Sequence, residues 1–197
     1  MSALTALQQD IGACRLCADR FSQTATAHRP RPVVWFDTGA KILIAGQAPG
    51  ARVHSSGKPF TDPSGDRLRH WLGLSEDQFY DRSLVAIVPM AFCFPGYSAK
   101  KADLPPPPLC RRTWHDQVMA HLPEMSLRIV VGSYAQSYHL GGKMSVQARV
   151  EAWQSYAQDS FPLPHPSWRN TAWLKRNPWF ETELLPVLRS RVQEVIA

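Results

Sequence analysis

The sequence predicts an α/β fold of three layers, α/β/α, around a short, mostly parallel central sheet. Short apolar runs such as Lys41-Ile42-Leu43-Ile44-Ala45, Leu84-Val85-Ala86-Ile87-Val88 and Arg128-Ile129-Val130-Val131 read as strands buried on both faces. Stretches with helical spacing alternate with them, which favours right-handed crossovers between parallel strands. The chain has 197 residues, 44% hydrophobic and 19% charged, enough to bury a packed core and in the range of one domain, taken as 1–197.

Taken in order, residues 3–20 are predicted as an amphipathic helix. Leu4, Leu7, Ile11 and Leu16 form its stripe, and Cys14 and Cys17 lie on one side of it. A basic, proline-broken loop at 28–32 leads to a candidate edge strand at 33–36. The strand at 41–45 ends at Gly46, and a glycine-rich loop runs to Pro63. Ser64 is the expected cap of a helix starting near Gly65, with Leu68, Trp71 and Leu72 facing inward. The strand at 84–88 follows. Pro105 to Pro108 form a stiff connector that excludes helix, ahead of a helix at 109–121. The strand at 128–131 closes at Gly132, and a helix from Ser133 to Leu140 ends at Gly141-Gly142. Residues 161–164 read as a proline-limited strand near an edge. Residues 178–195 are helical, with Pro186 expected to kink or divide them.

Ligands of open parallel sheets sit outside the carboxyl ends of the strands. The Gly46 loop, the segment after Val88 and the segment after Pro164 are expected to converge there. The formal charge is +6 and the pI about 9.4, a balance that suits a polyanionic partner. No run of about 18 apolar residues occurs, so no membrane span is expected. The first residues do not read as a signal peptide. A cytosolic monomer is the expectation.

In that compartment thiols bind metals or do redox chemistry more often than they form disulfides. The four cysteines are Cys14, Cys17, Cys93 and Cys110. Four thiolates suit either a tetrahedral zinc or a four-iron, four-sulfide cluster. With a single C-x-x-C rather than two knuckles, the cluster is favoured over zinc. Buried free thiols are the plain alternative.

The loop Gly46-Gln47-Ala48-Pro49-Gly50, continuing through Gly57-Lys58-Pro59-Phe60, permits close backbone approach to a ligand, and Phe60 can offer a face to a flat base. It matches neither a Walker A nor a dinucleotide fingerprint. His165 follows the last strand, where an imidazole can stabilise negative charge on a departing group. Trp168, Arg169, Lys175 and Arg176 lie in a stretch from Ser160 to Phe180 without acidic residues, suited to phosphates and to an apolar wedge. A helix with solvated cations and a buried tryptophan stripe is the alternative.

Gly46-Gln47-Ala48-Pro49-Gly50, Gly57-x-Pro59-Phe60 and His165-Pro166-Ser167 resemble the motifs of uracil-DNA glycosylases, closest to the iron–sulfur branch often called family 4. That branch places a C-x-x-C near its start, a third cysteine after the next strand and a fourth after a proline-rich loop, as Cys14, Cys17, Cys93 and Cys110 stand here. The resemblance implies the three-layer fold of that family, a 4Fe–4S cluster on the four cysteines in a structural role, and excision of uracil or another deaminated base from DNA after nucleotide flipping. It implies stacking of the base on Phe60, a pocket wall from Ala48 and Gly50, anion stabilisation by His165, water placement at position 47, and DNA contacts from Trp168, Arg169, Lys175 and Arg176. Two positions depart from the branch. Gln47 replaces a glutamate, and Pro89 replaces the asparagine that reads the uracil edge. His54, Asp62 and Asp66 are the candidate polar substitutes. A catalytically weak DNA-binding or damage-sensing module of the same fold is the second reading.

Overall fold

A computed structural model describes residues 2–122 and 125–197. Among them, four parallel strands form one sheet in the order β2-β1-β3-β4, with β1 Ile42–Ala45, β2 Val85–Ile87, β3 Leu127–Val131 and β4 Ser160–Leu163. Nearly every strand residue is buried, as expected when helices cover both faces. Side chains alternate between two cores. Ile42, Ile44, Val85, Ile87, Ile129, Phe161 and Leu163 share one with Leu68, Trp71 and Leu188. Leu43, Ala45, Ala86, Val88 and Val130 share the other with Leu4, Leu7, Ile11 and Val118. The layering is α/β/α.

The helices in chain order are α1 (Ala3–Ala13), α2 (Ala18–Ser22), α3 (Ala51–Ser56), α4 (Pro63–Leu72), α5 (Glu76–Tyr80), α6 (Pro108–Cys110), α7 (Asp116–His121), α8 (Gly132–His139), α9 (Val146–Glu151), α10 (Thr171–Arg176) and α11 (Leu185–Ile196). The connection leaving β1 leads to β2 at one side, and the one leaving β3 leads to β4 at the other. The topological switch point therefore lies between β1 and β3, and the crevice for a ligand opens above their carboxyl ends.

Several expectations are corrected. The predicted first helix breaks at Cys14, whose backbone is extended, and resumes at Ala18. The apolar stripe ends with Ile11, and Leu16 is 58% exposed instead of facing inward. Cys14 and Cys17 thus occupy a turn between two helices, not one helical face. Residues 33–36 contribute one antiparallel bridge, Trp35 to Ile87, and no full strand. Asp62, not Ser64, caps α4, because Pro63 has no N–H to satisfy and fits the first helical position. Pro108 opens α6 for the same reason, so the proline run ends inside a helix. That helix continues through a π-helical segment, Arg111–His115, into α7. As expected, the terminal helical stretch is divided at Pro186, which stands at the start of α11 after a second π-helical segment, Phe180–Leu184. The short helices α3, α5 and α9 carry too few turns to show a period.

Candidate functional site

The crevice is assembled from loops at the strand ends. The loop after β1 is tied to the segment after β2: the N–H of Met90 donates to the Gly46 carbonyl at 2.8 Å and that of Ala91 to the Gln47 carbonyl at 3.2 Å. Gln47, Ala48 and Gly50 are half-buried. A Cβ built on Gly46 or Gly50 would meet no heavy atom within 4 Å. Packing demands neither glycine, and both leave open space against the loop backbone.

Phe60 stands at φ 53, a left-handed conformation that costs a bulky residue about 1–3 kcal/mol. Its surroundings hold it there. The Tyr80 hydroxyl donates to the carbonyls of Pro59 and Phe60 at 2.8 and 3.0 Å. Gly65 lies directly beneath, where a Cβ would come within 1.9 Å of the Phe60 carbonyl oxygen. The Phe60 ring is half-buried and meets Phe79 edge-on at 5.9 Å. Two residues on, Asp62 accepts the N–H groups of Ser64 and Gly65, both at 3.1 Å, through Oδ1.

His165 follows β4 and is exposed at the crevice mouth. The surrounding protein mass pushes its pKa below the ordinary histidine range; Asp62 and Asp103 oppose that shift and Arg169 reinforces it. The ring is therefore neutral at pH 7 and stands in the field of two carboxylates and one guanidinium. Its backbone is held from several sides. The Asn170 side-chain amide donates to the His165 carbonyl at 2.7 Å, and Arg67 donates to the Ser167 carbonyl at 3.0 Å. Gln136, 1% exposed, donates to the carbonyls of Val130 at 3.3 Å and Leu163 at 3.0 Å, bridging the ends of β3 and β4. Buried Arg149 in turn donates to the Gln136 carbonyl at 3.1 Å.

These residues were not found from the sequence. Arg67 and the turn it holds lie 100 positions apart, and Asn170 and Gln136 carry no motif. Asp103 hides in a loop without strand or helix signal.

The polar substitutes separate. Asp62 reaches His165 by charge. Asp66 is exposed and pairs with Arg69. His54, on α3, belongs to an aromatic group with His28, at 5.0 Å, and Phe94, at 5.9 Å, and its Nδ1 is buried without a partner. Burial, and then the charges of His28 and Arg31, lower its pKa.

Trp168 is 77% exposed on the turn after His165, and Arg169, Lys175 and Arg176 are exposed near it. Trp173 instead packs on Trp179 and Phe180 at 5.9 and 5.8 Å. Trp168 is thus outward while Trp173 packs against the core, so the tryptophans do not form one buried stripe.

All four cysteines line one apolar pocket, together with Ile11, Phe21, Phe92 and Trp114. None is in a disulfide. Among the described residues, no three or more His, Cys, Asp or Glu side chains are arranged to hold a metal ion; the thiols border a shared space. Burial, then the neighbouring Cys110, pushes Cys93 up to about 12. Burial likewise raises Cys110 to about 11, against the N–H of Phe92, which donates to its sulfur at 3.4 Å. Four thiolates would be stable in this pocket only around a cationic group, and a donor set of four sulfurs on an apolar wall suits a thiophilic centre.

Residues 33–189 match the Uracil DNA glycosylase superfamily. The chain belongs to that superfamily. Its members are generally DNA glycosylases, hydrolases acting on DNA, and the match spans the Gly46 loop, Phe60, His165 and Trp168. It takes in Cys93 and Cys110 but starts after Cys14 and Cys17. Within this superfamily member, Pro89 is buried directly after β2, where it offers neither a side-chain amide nor an N–H. Among the described residues no helix is long and apolar enough to cross a membrane.

Proposed function

We propose that the chain excises uracil or another deaminated base from DNA, with the four cysteines holding a 4Fe–4S cluster. The observation that carries this reading is His165: a neutral imidazole, exposed after β4, its backbone held from several sides, in the electrostatic field of the carboxylate that follows Phe60 by two residues. Enzymes of this kind take the damaged nucleotide out of the stack. The half-buried Phe60 ring then stacks on the base, and the open space beside Gly46 and Gly50 admits it. The exposed Trp168 fills the gap in the stack, with Arg169, Lys175 and Arg176 on phosphates.

In the chemical step the C1′–N bond breaks and its electron pair leaves with the base. His165 donates a hydrogen bond to the developing anion. A water oxygen bonds to C1′. Gln47 orients that water but is a poor proton acceptor. Asp62, with Oδ1 engaged by the α4 cap, takes the water proton on its other oxygen. The cluster supplies no step; it ties the turn at Cys14–Cys17 to the loops carrying Cys93 and Cys110. Four thiolates suit either a zinc or a 4Fe–4S cluster, and the single C-x-x-C is what favours the cluster.

The decisive experiment incubates the protein with oligonucleotides bearing uracil, hypoxanthine or xanthine, followed by alkaline cleavage. Cleavage of one of them, reduced roughly 100-fold or more by His165→Ala, is expected. Gln47 and Pro89 favour a second reading, a binding module of the same fold; tight DNA binding with no cleavage by brown, iron-loaded protein would select it. The cluster has its own test: broad visible absorbance lost in Cys93→Ser supports it, and colourless protein with stoichiometric zinc refutes it.

A further inference from the structure

We infer that the hairpin at 96–104 is a phosphate-binding strap, gripping the DNA backbone beside the flipped nucleotide across a cleft from Arg169. The inference rests on the DNA-binding reading above and adds a contact surface to it.

The hairpin is closed by an antiparallel bridge between Tyr97 and Asp103. Ser98 donates its N–H to the Ala102 carbonyl at 2.9 Å, and Leu104 to that of Gly96 at 2.9 Å. Its base is fixed to the body: Ala25 donates to the Tyr97 carbonyl at 3.2 Å, and Gly96, at φ 93, packs so tightly that a Cβ would lie 2.8 Å from the Thr24 hydroxyl. The strap is thus a rigid wall.

Its tip is Ala99-Lys100-Lys101. The N–H of Lys101 returns to the Ser98 carbonyl at 2.9 Å, and Lys101 itself stands at φ 57. A turn followed by a left-handed residue is the usual three-residue hairpin loop, and folding favours glycine there. Lysine at that position carries backbone strain without contributing to the core, since it is exposed. Strain retained on an exposed cation points to a role in binding.

The cleft beneath supplies the rest of the site. Lys101 and Arg169 both line it, and Tyr97 and Ser98 offer hydroxyls suited to phosphate oxygens. Among the described residues Asp103 is the one acid on its wall, and its charge, like that of Arg169, acts on His165. A strand laid between Lys101 and Arg169 therefore leads to the imidazole. Asp103 would meet the sugar or base edge and not a phosphate.

The test is fluorescence anisotropy of the full chain with undamaged fluorescein-labelled single-stranded and duplex oligonucleotides over a salt series. Each phosphate contact contributes about 0.7–0.9 to the slope of log affinity against log salt. Lys101→Gly keeps the left-handed backbone and removes the charge. It is expected to lower the slope by about that amount and weaken binding roughly 5-fold, as is Lys101→Gln, whereas Lys101→Arg retains the wild-type slope. Lys143→Gln, in the exposed loop after α8, is the control and leaves the slope unchanged. Unaltered slopes in both uncharged variants, with the wild type binding, would overturn the strap alone. A wild type that binds none of the oligonucleotides would overturn the DNA reading and the strap with it.

Discussion

Phe60 shows how one position is held for use. Its left-handed backbone opposes its own preference, and Tyr80 and Gly65 answer that cost. In Gly65→Ala the new methyl meets a backbone carbonyl, which no rotamer change relieves. A stability loss of about 2 kcal/mol or more in urea unfolding is expected, with base excision falling in parallel. Gly46→Ala separates the two effects. Its Cβ enters open space, so stability stays within about 0.5 kcal/mol of wild type, while excision drops at least roughly 10-fold because the methyl occupies the approach to the loop backbone. An active Gly46→Ala variant would remove that space from the ligand path. At this scale Phe60 and His165 were legible because each sits in a short motif beside a strand end. The side chains that hold His165 were not, since Arg67, Gln136 and Asp103 reach it only through the fold.

Among the elements, strands were legible as short apolar runs and helices such as α4 from their spacing, and the breaks within helical stretches were not. The turn at Cys14 and the π-helical segment at Arg111–His115 depend on what the chain packs against. That π segment carries a buried histidine in contact with a half-buried one on α8. His115, 1% exposed, meets His139 at the end of α8, with 3.3 Å between their Nε2 atoms. Burial drives His115 down to about 4, with Asp116 opposing and Arg111 assisting. Burial, His115 and then Arg128 drive His139 down to about 3. Tyr138 meets both rings edge-on and donates to Asp116. Both histidines stay neutral in the folded state and charge in the unfolded state, whose ordinary value is near 6.5. Their contribution is therefore complete above that value and declines as pH falls through it toward 4. Between about pH 6.5 and 5 each histidine should withdraw about 2 kcal/mol of stability. Urea midpoints measured across this window should fall steeply in wild type and less steeply in His115→Phe. Identical slopes would place the acid sensitivity elsewhere.

At the scale of the whole molecule, the sheet and the thiol pocket divide the work. The sheet order sets the crevice between β1 and β3, and coverage of the sheet on both faces was readable from sequence because the strands at 42–45 and 85–87 lie in apolar runs. The pocket gathers the turn at 14–17 with Cys93 and Cys110, segments that no strand pairing joins. A centre bound there closes loops of tens of residues. In chain-entropy terms each such closure removes about 4 kcal/mol of unfolded-state freedom, and the binding free energy appears as folding free energy. The hairpin at 96–104 and the base of α2 lie between these cysteines in the chain and should loosen first when a centre bound there is removed, ahead of the strands. Hydrogen exchange on iron-loaded and chelator-treated protein tests this. Protection is expected to fall at 14–31 and 92–110, while the amides of β1 and β3 keep theirs. Cys110→Ser should reproduce the chelated pattern without chelator. If loaded and chelated protein exchange alike, the cysteines are packing residues, and the thiol pocket plays no part in organising the DNA-binding loops.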